Sequence, residues 1–293
     1  MFRKLGLLAF CVGLCGVFVF PAASRAADDK PIKALFICGG CCHDYEHQKD
    51  IITKGISARA NVEWTISWDP DKGTAHLNPI YANPDWYKGF DVVVHDECTA
   101  DVGKPDPKDS EKGTKELDII NNTILKPHKD GLPAVVLHCG MHCYRSAGWP
   151  KAITPWYELT GVRSTGHRQQ APIAINFIDK ENPITKGMED WTTINEELYN
   201  NEYGLLDSVH PLARGKQTNI DKKTGAEKKF DDVCIWTNMY NGKTKVFATT
   251  IGHNNVTCED ARYLDLVTRG LLWSVDKLDD THFKAVKEAS AQK

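Results

Sequence analysis

Short apolar runs that stop at glycine and polar side chains recur along the first half of the chain. Residues 33–40 are apolar up to Cys38 and close on Gly39 and Gly40, which predicts a buried strand running into a tight turn. His43, Asp44, Tyr45 and Glu46 then open a predicted helix, with acids at the end where its dipole favours them. Residues 62–68 alternate as a second strand. Residues 90–97 form a third that finishes on His95, Asp96 and Glu97, and residues 132–140 a fourth that finishes on His138, Cys139 and Gly140. Helical spacing falls over 115–125. In the second half the pattern predicts a short helix over 151–159, a strand over 171–178, a turn over 182–187 and strands over 233–237 and 245–252. Apolar residues at 264, 267, 271 and 275 lie on one face of a helix over 260–275. The polar stretches 99–113 and 214–232 read as surface insertions.

Strands that alternate with helices predict an α/β fold: an open, mostly parallel sheet of flavodoxin type with helices on both faces. The sequence has no glycine-rich dinucleotide fingerprint, no P-loop and no internal repeat. One domain is expected over residues 28–276, with a C-terminal tail over 277–293.

Residues 1–27 have the character of a secretory signal. Arg3 and Lys4 precede an apolar run from Leu5 to Phe20, and Ser24 and Ala26 supply small residues for cleavage. The run is shorter than the roughly 20 residues of a spanning helix, so an exported, periplasmic or extracellular protein is expected, with a membrane contact only if the segment stays uncleaved. Losing Arg3, Lys4 and Arg25 takes the formal charge from −3 to −6. Such a chain offers no basic field for nucleic acid, and a small-molecule partner is expected instead. Cys11 and Cys15 leave with the signal. The eight cysteines that remain could form up to four disulfides in an oxidising compartment.

In open α/β sheets ligands bind beyond the carboxyl ends of the strands. There this chain places Cys41, Cys42, His43 and Asp44, then His95 to Cys98, then His138, Cys139, His142 and Cys143, and finally His253. Convergence of His43, His138, His142 and His253 in one cleft is therefore expected. The spacing of His138 and His142 suggests a divalent metal, with a third ligand from His43, Asp44 or His253, although Gly140 between them weakens a helical reading. Cys139 sits where a strand-to-turn nucleophile would sit. The alternative is a disulfide, to Cys143, Cys41 or Cys42, with one of the vicinal cysteines left free. Asp69, Pro70 and Gly73 superficially suggest an aspartyl-phosphate loop, but this is common turn chemistry.

These elements, taken in order, resemble a known family. Gly39-Gly40 with His43-Asp44 comes first, then His138 to Arg145, Trp156 to Gly161 and Gly166-His167. Asn182 to Thr185, Glu196 to Tyr199, Trp236, Thr250 to His253 and Arg269 to Trp273 follow. The chain resembles the ThuA-like (trehalose-utilisation) family, on the class I glutamine amidotransferase-like fold. The resemblance covers about residues 33–276. It implies functional positions at His43, Asp44, His138, His142, His167, Glu197 and His253. The Gly-x-Cys-x-Gly elbow of true amidotransferases is missing around Cys139, which argues against glutamine hydrolysis.

The function expected is an exported enzyme acting on a disaccharide or an oxidised keto-sugar. His138, Glu197, His253 and Asp44 are its catalytic candidates. His43, His167, Tyr144, Trp156, Tyr199 and Trp236 are candidates to hold the sugar, the aromatics by stacking. Alternatives are a non-catalytic sugar-binding or docking module, a metal-dependent hydrolase or lyase built on His138 and His142, and acyl transfer at Cys139.

Overall fold

The computed structural model describes residues 30–109 and 111–284. The expected signal over 1–27 lies outside the described residues, as does the tail beyond residue 284. In chain order the elements are β1 (Ile32–Gly40), α1 (Tyr45–Ser57), β2 (Val62–Asp69), β3 (Val92–Cys98), α2 (Lys112–Ile119), α3 (Lys126–Asp130), β4 (Ala134–Leu137), α4 (Pro155–Thr160), β5 (Ala171–Phe177), β6 (Trp191–Glu196), β7 (Val209–Ile220), β8 (Glu227–Tyr240), β9 (Thr244–Thr249), α5 (Asn255–Glu259) and α6 (Ala261–Ser274). A π-turn, Ile120–Ile124, follows α2, and a single 3-10 turn, His138–His142, follows β4. No helix among the described residues is long and apolar enough to cross a membrane.

All nine strands form one sheet in the order β2-β1-β3-β4-β9-β8-β7-β5-β6. The first five pair in parallel. The remaining pairings are antiparallel, which corrects the expectation of a mostly parallel sheet: this is a mixed α/β sheet, parallel in one half only. The cause lies in the connections. Short turns join β7 to β8 and β8 to β9, and only antiparallel neighbours can be joined so. The polar stretch 214–232, expected as an insertion, is the paired body of the β7–β8 hairpin, its register running from Arg214↔Val233 to Ile220↔Glu227. Asn241-Gly242, with positive φ at both residues, turns β8 into β9 and is the strongest hairpin signal in that half of the sequence.

Both faces of the inner parallel strands are covered, so β1 and β4 are buried almost end to end, whereas the edge strand β2 still alternates. Along β1, Ala34, Phe36 and Cys38 pack with α1 and α6 residues such as Ile52, Ile56 and Leu271. Leu35 and Ile37 face the other way, into a core with Tyr81, Ile120, Ile124 and Trp156. The two cores fix the sheet from both sides and hold the carboxyl ends of β1, β3, β4 and β9 side by side.

Candidate functional site

The chain leaves β1 through Gly39 and Gly40, both at positive φ. A Cβ on Gly40 would stand 2.3 Å from the Cys98 carbonyl oxygen at the end of β3, so only glycine lets the two strand ends close up here. His43 follows. His138 leaves β4, His253 follows β9, and Glu197 follows β6. The ring centroids of His43 lie 4.6 Å from His138 and 4.8 Å from His253, and one nitrogen from each of the three falls within 4.8 Å of the others.

Glu197 sits among these rings. Its Oε2 is 3.5 Å from His138 Nε2 and 3.3 Å from His253 Nδ1; its Oε1 is 3.4 Å from His167 Nε2 and accepts from Gln170 Nε2 at 3.3 Å. Burial alone would raise the Glu197 carboxyl, but the bonds and charges of His138 and His253 outweigh it and hold it well below the usual carboxylate range. The same carboxylate raises His253 despite partial burial. Burial, reinforced by His138 and His253, pushes His43 down to about 2, so that ring is neutral. Its Nδ1 is buried without a hydrogen-bond partner. His138 Nδ1 donates to the Thr250 carbonyl at 2.6 Å, which fixes the ring and turns Nε2 toward the site, 3.2 Å from the Tyr199 hydroxyl.

Two residues not singled out by the sequence reading build the His253 loop. Glu196 is fully buried. Its Oε2 accepts from the backbone N–H groups of Glu197 (3.3 Å) and His253 (3.1 Å), and its Oε1 from the backbone N–H of Asn254 (3.0 Å) and Asn254 Nδ2 (3.4 Å). Gln48 on α1, also buried, donates to the His253 carbonyl at 2.9 Å. Glu196 opens the Glu196 to Tyr199 stretch with no role legible from its neighbours, and Gln48 lies on a helix outside any motif, so only packing reveals what the two side chains hold.

Other candidates fall elsewhere. His142 is buried, accepts or donates at Ser164 Oγ (2.8 Å) and stacks on Tyr199 at 4.2 Å; it is not in the three-nitrogen group, so His138 and His142 do not form the expected metal pair. Burial, then Arg145, keeps its pKa well below the ordinary value. His167 is half exposed at the rim. Asp44 points outward, bonded to His47 (2.8 Å) and Asn255 (2.7 Å), which lower its pKa. Tyr144, Trp156 and Trp236 are at most 1 % exposed, which removes them as sugar-stacking platforms. The two tryptophan N–H groups are spent on the carbonyls of Gly140 (2.9 Å) and Thr160 (2.7 Å). Tyr199, equally buried, backs His138. His95 and Glu97 point into the opposite core, in a chain with Tyr81 and His128.

An exposed aromatic does border the site. A cavity of about 310 Å³ opens beside His43, lined among others by Gly40, Asp44, Trp68, Asp69, Asp71 and Lys72. A larger one of about 480 Å³ lies near the start of β1, around Ile32, Arg59 and Leu272, and holds none of the strand-end histidines.

The cysteines pair differently from either expectation. Cys41 bonds to Cys42 and Cys98 to Cys139, while Cys38, Cys143, Cys234 and Cys258 are buried free thiols. Cys143 donates to the Glu97 carbonyl (3.0 Å) rather than bridging to Cys139. With its sulfur in a disulfide, Cys139 is no acyl-transfer nucleophile.

The family model described as ThuA, trehalose utilisation, matches residues 112–274, more than half of the chain. The chain belongs to the ThuA family. Solved ThuA-like proteins share its fold. One from Parabacteroides merdae is 17% identical with a TM-score of 0.58, covering 88% of this chain and 98% of its own. One from Bacteroides uniformis is 15% identical with a TM-score of 0.56, covering 90% and 98%. A glutamine amidotransferase from Thermotoga maritima aligns at 8% identity and a TM-score of 0.40 over 84% of this chain and 100% of its own. No curated protein matches the sequence. ThuA membership associates the chain with trehalose utilisation.

Proposed function

We propose that this ThuA protein is an exported enzyme of carbohydrate utilisation that cleaves a disaccharide, or its oxidised keto form, by acid–base chemistry at the His138–Glu197–His253 cluster. The observation that carries the reading is one carboxylate shared by three histidines, two of them packed against His43, which lines an open cavity. Glu197 is too acidic to be the proton carrier itself. It stays anionic and keeps His253 protonated, so His253 donates to the departing glycosidic oxygen. His138, its Nδ1–H held by Thr250, presents Nε2 to take a proton from an attacking water or from the carbon beside a keto group. Trp68 offers a ring at the cavity mouth, and Asp44, Asp69 and Lys72 offer polar groups for sugar hydroxyls.

A second reading is favoured by the His43, His138 and His253 nitrogens. These three ring nitrogens, within 4.8 Å of one another, could hold a divalent cation, with Thr250 orienting His138 from behind. Such an ion would act as a Lewis acid on a sugar carbonyl or hydroxyl. The readings conflict at His253, since a ligand nitrogen cannot also deliver a proton. Trehalose and its keto derivative, supplied to the purified protein with and without added metal, test both. Cleavage lost in His253→Ala and weakened but measurable in Glu197→Gln, with no stoichiometric metal by elemental analysis, supports the first reading. Cleavage that requires a bound metal supports the second, and binding without turnover refutes both.

A further inference from the structure

Beside the histidines lies a line of four sulfurs that neither reading uses. Cys42 is exposed, Cys41 partly buried, and Cys98 and Cys139 buried at 3 % and 6 % exposure. Cys41 Sγ lies 3.4 Å from Cys98 Sγ, so the outer disulfide touches the inner one. The register of β1 on β3, Gly40↔Cys98, together with the missing Cβ at Gly40, creates that contact. Cys42 holds φ at 80°, a conformation unfavourable for a residue with a side chain, and breaking its bond to Cys41 would free it to relax. At the inner end, the donor atoms of Cys98, Cys139 and His43 lie within 4.8 Å of one another.

We propose that Cys41–Cys42 and Cys98–Cys139 form a thiol–disulfide exchange site that takes electrons from small thiols at Cys42 and delivers them to Cys139, beside His43. In the first step a thiolate of a dithiol reductant attacks Cys42 Sγ. A mixed disulfide forms, the Cys41–Cys42 bond breaks, and the electron pair leaves on Cys41 Sγ. Cys41 Sγ then attacks Cys98 Sγ; the Cys41–Cys98 bond forms, Cys98–Cys139 breaks, and the pair leaves on Cys139 Sγ, which takes a proton from water. The reductant's second thiol displaces Cys42. One dithiol has become a disulfide, and the protein has exchanged two disulfides for one, Cys41–Cys98, and two thiols, Cys42 and Cys139. The buried inner pair is shielded from direct attack, while two sulfurs held in contact react with the advantage of an intramolecular step. The inference is independent of the sugar chemistry.

The purified chain, treated with one equivalent of dithiothreitol, quenched in acidic denaturant with N-ethylmaleimide and mapped without reduction, tests this. Maleimide on Cys42 and Cys139 with a Cys41–Cys98 cross-linked peptide is expected. The four buried free thiols label in every sample and serve as constants. Labels on Cys41 and Cys42 with Cys98–Cys139 intact would overturn the proposal, as would labels on Cys98 and Cys139 with Cys41–Cys42 intact. Cys42→Ser should show the Cys41–Cys98 link and a free Cys139 with no reductant added; a free Cys41 beside an intact Cys98–Cys139 bond overturns it. In Cys41→Ser the inner disulfide should be reduced at least tenfold more slowly than in the wild type, and an unchanged rate counts against the relay.

Discussion

Glu196→Gln is the sharpest test of how the fold holds the site. The side chain keeps its length and shape, so packing is unchanged. In the native protein both oxygens act only as acceptors, each facing two N–H donors: Glu197 and His253 on Oε2, the Asn254 backbone and side chain on Oε1. A glutamine retains one oxygen and presents an NH2 group to the other pair of donors, which then have no acceptor in a fully buried position. An unsatisfied buried donor costs about 1–3 kcal/mol, so two give roughly 3 kcal/mol allowing for partial relaxation. At about 2–4 °C per kcal/mol in chains of this order, the melting temperature should fall by roughly 6–12 °C. Urea titration followed by tryptophan fluorescence, with the exposed Glu63→Gln as control, measures the loss. A midpoint indistinguishable from that control, equivalent to less than about 0.5 kcal/mol, would show that Glu196 does not anchor the His253 loop.

Three further outcomes follow from the same geometry. Glu197 raises the pKa of His253, so the acid form of His253 persists to higher pH than an isolated imidazole would allow. Activity that needs that proton is present below the raised pKa and lost as pH rises through it. Glu197→Gln should move this descending limb of the kcat/KM profile to lower pH, and an unmoved limb assigns the proton elsewhere. Trp236→Phe removes the donor to the buried Thr160 carbonyl and should cost about 1–2 kcal/mol in urea unfolding while leaving the KM for sugar unchanged; a raised KM would return Trp236 to the binding site. Gly40→Ala drives a Cβ into the Cys98 carbonyl at a positive φ and should destabilise by about 2–4 kcal/mol, read by the same titration; an alanine tolerated without loss would mean that the ends of β1 and β3 are not in the contact described.

The family, the parallel half of the sheet and the gathering of chemical residues at strand ends were legible from residue order alone. Buried parallel strands leave continuous apolar runs, and each run here stops at glycine, histidine or cysteine. The antiparallel half was less legible. Long hairpin strands with one polar face, such as residues 214–220 and 227–232, carry the composition of a loop, and only their pairing distinguishes them. The aromatics misled for a related reason: a tryptophan near a site motif reads the same whether it stacks on a ligand or spends its N–H on a buried carbonyl.

By itself the sequence determined which residue types reach the carboxyl edge of the sheet, because strand period and turn chemistry are local properties. The tertiary structure decided which of them meet. His43, His138 and His253 share a site because β1, β4 and β9 end at the same edge of one sheet, whereas His142, four residues from His138, is carried past that site by a 3-10 turn onto Tyr199 and Ser164. It also decided the roles. The proton affinities of Glu197, His253 and His43 are set by the charges and burial that neighbouring strands bring within 5 Å, roughly, of each ring, and such proximity between residues from 56 (Glu197 and His253) to 210 (His43 and His253) positions apart has no trace in their local sequence.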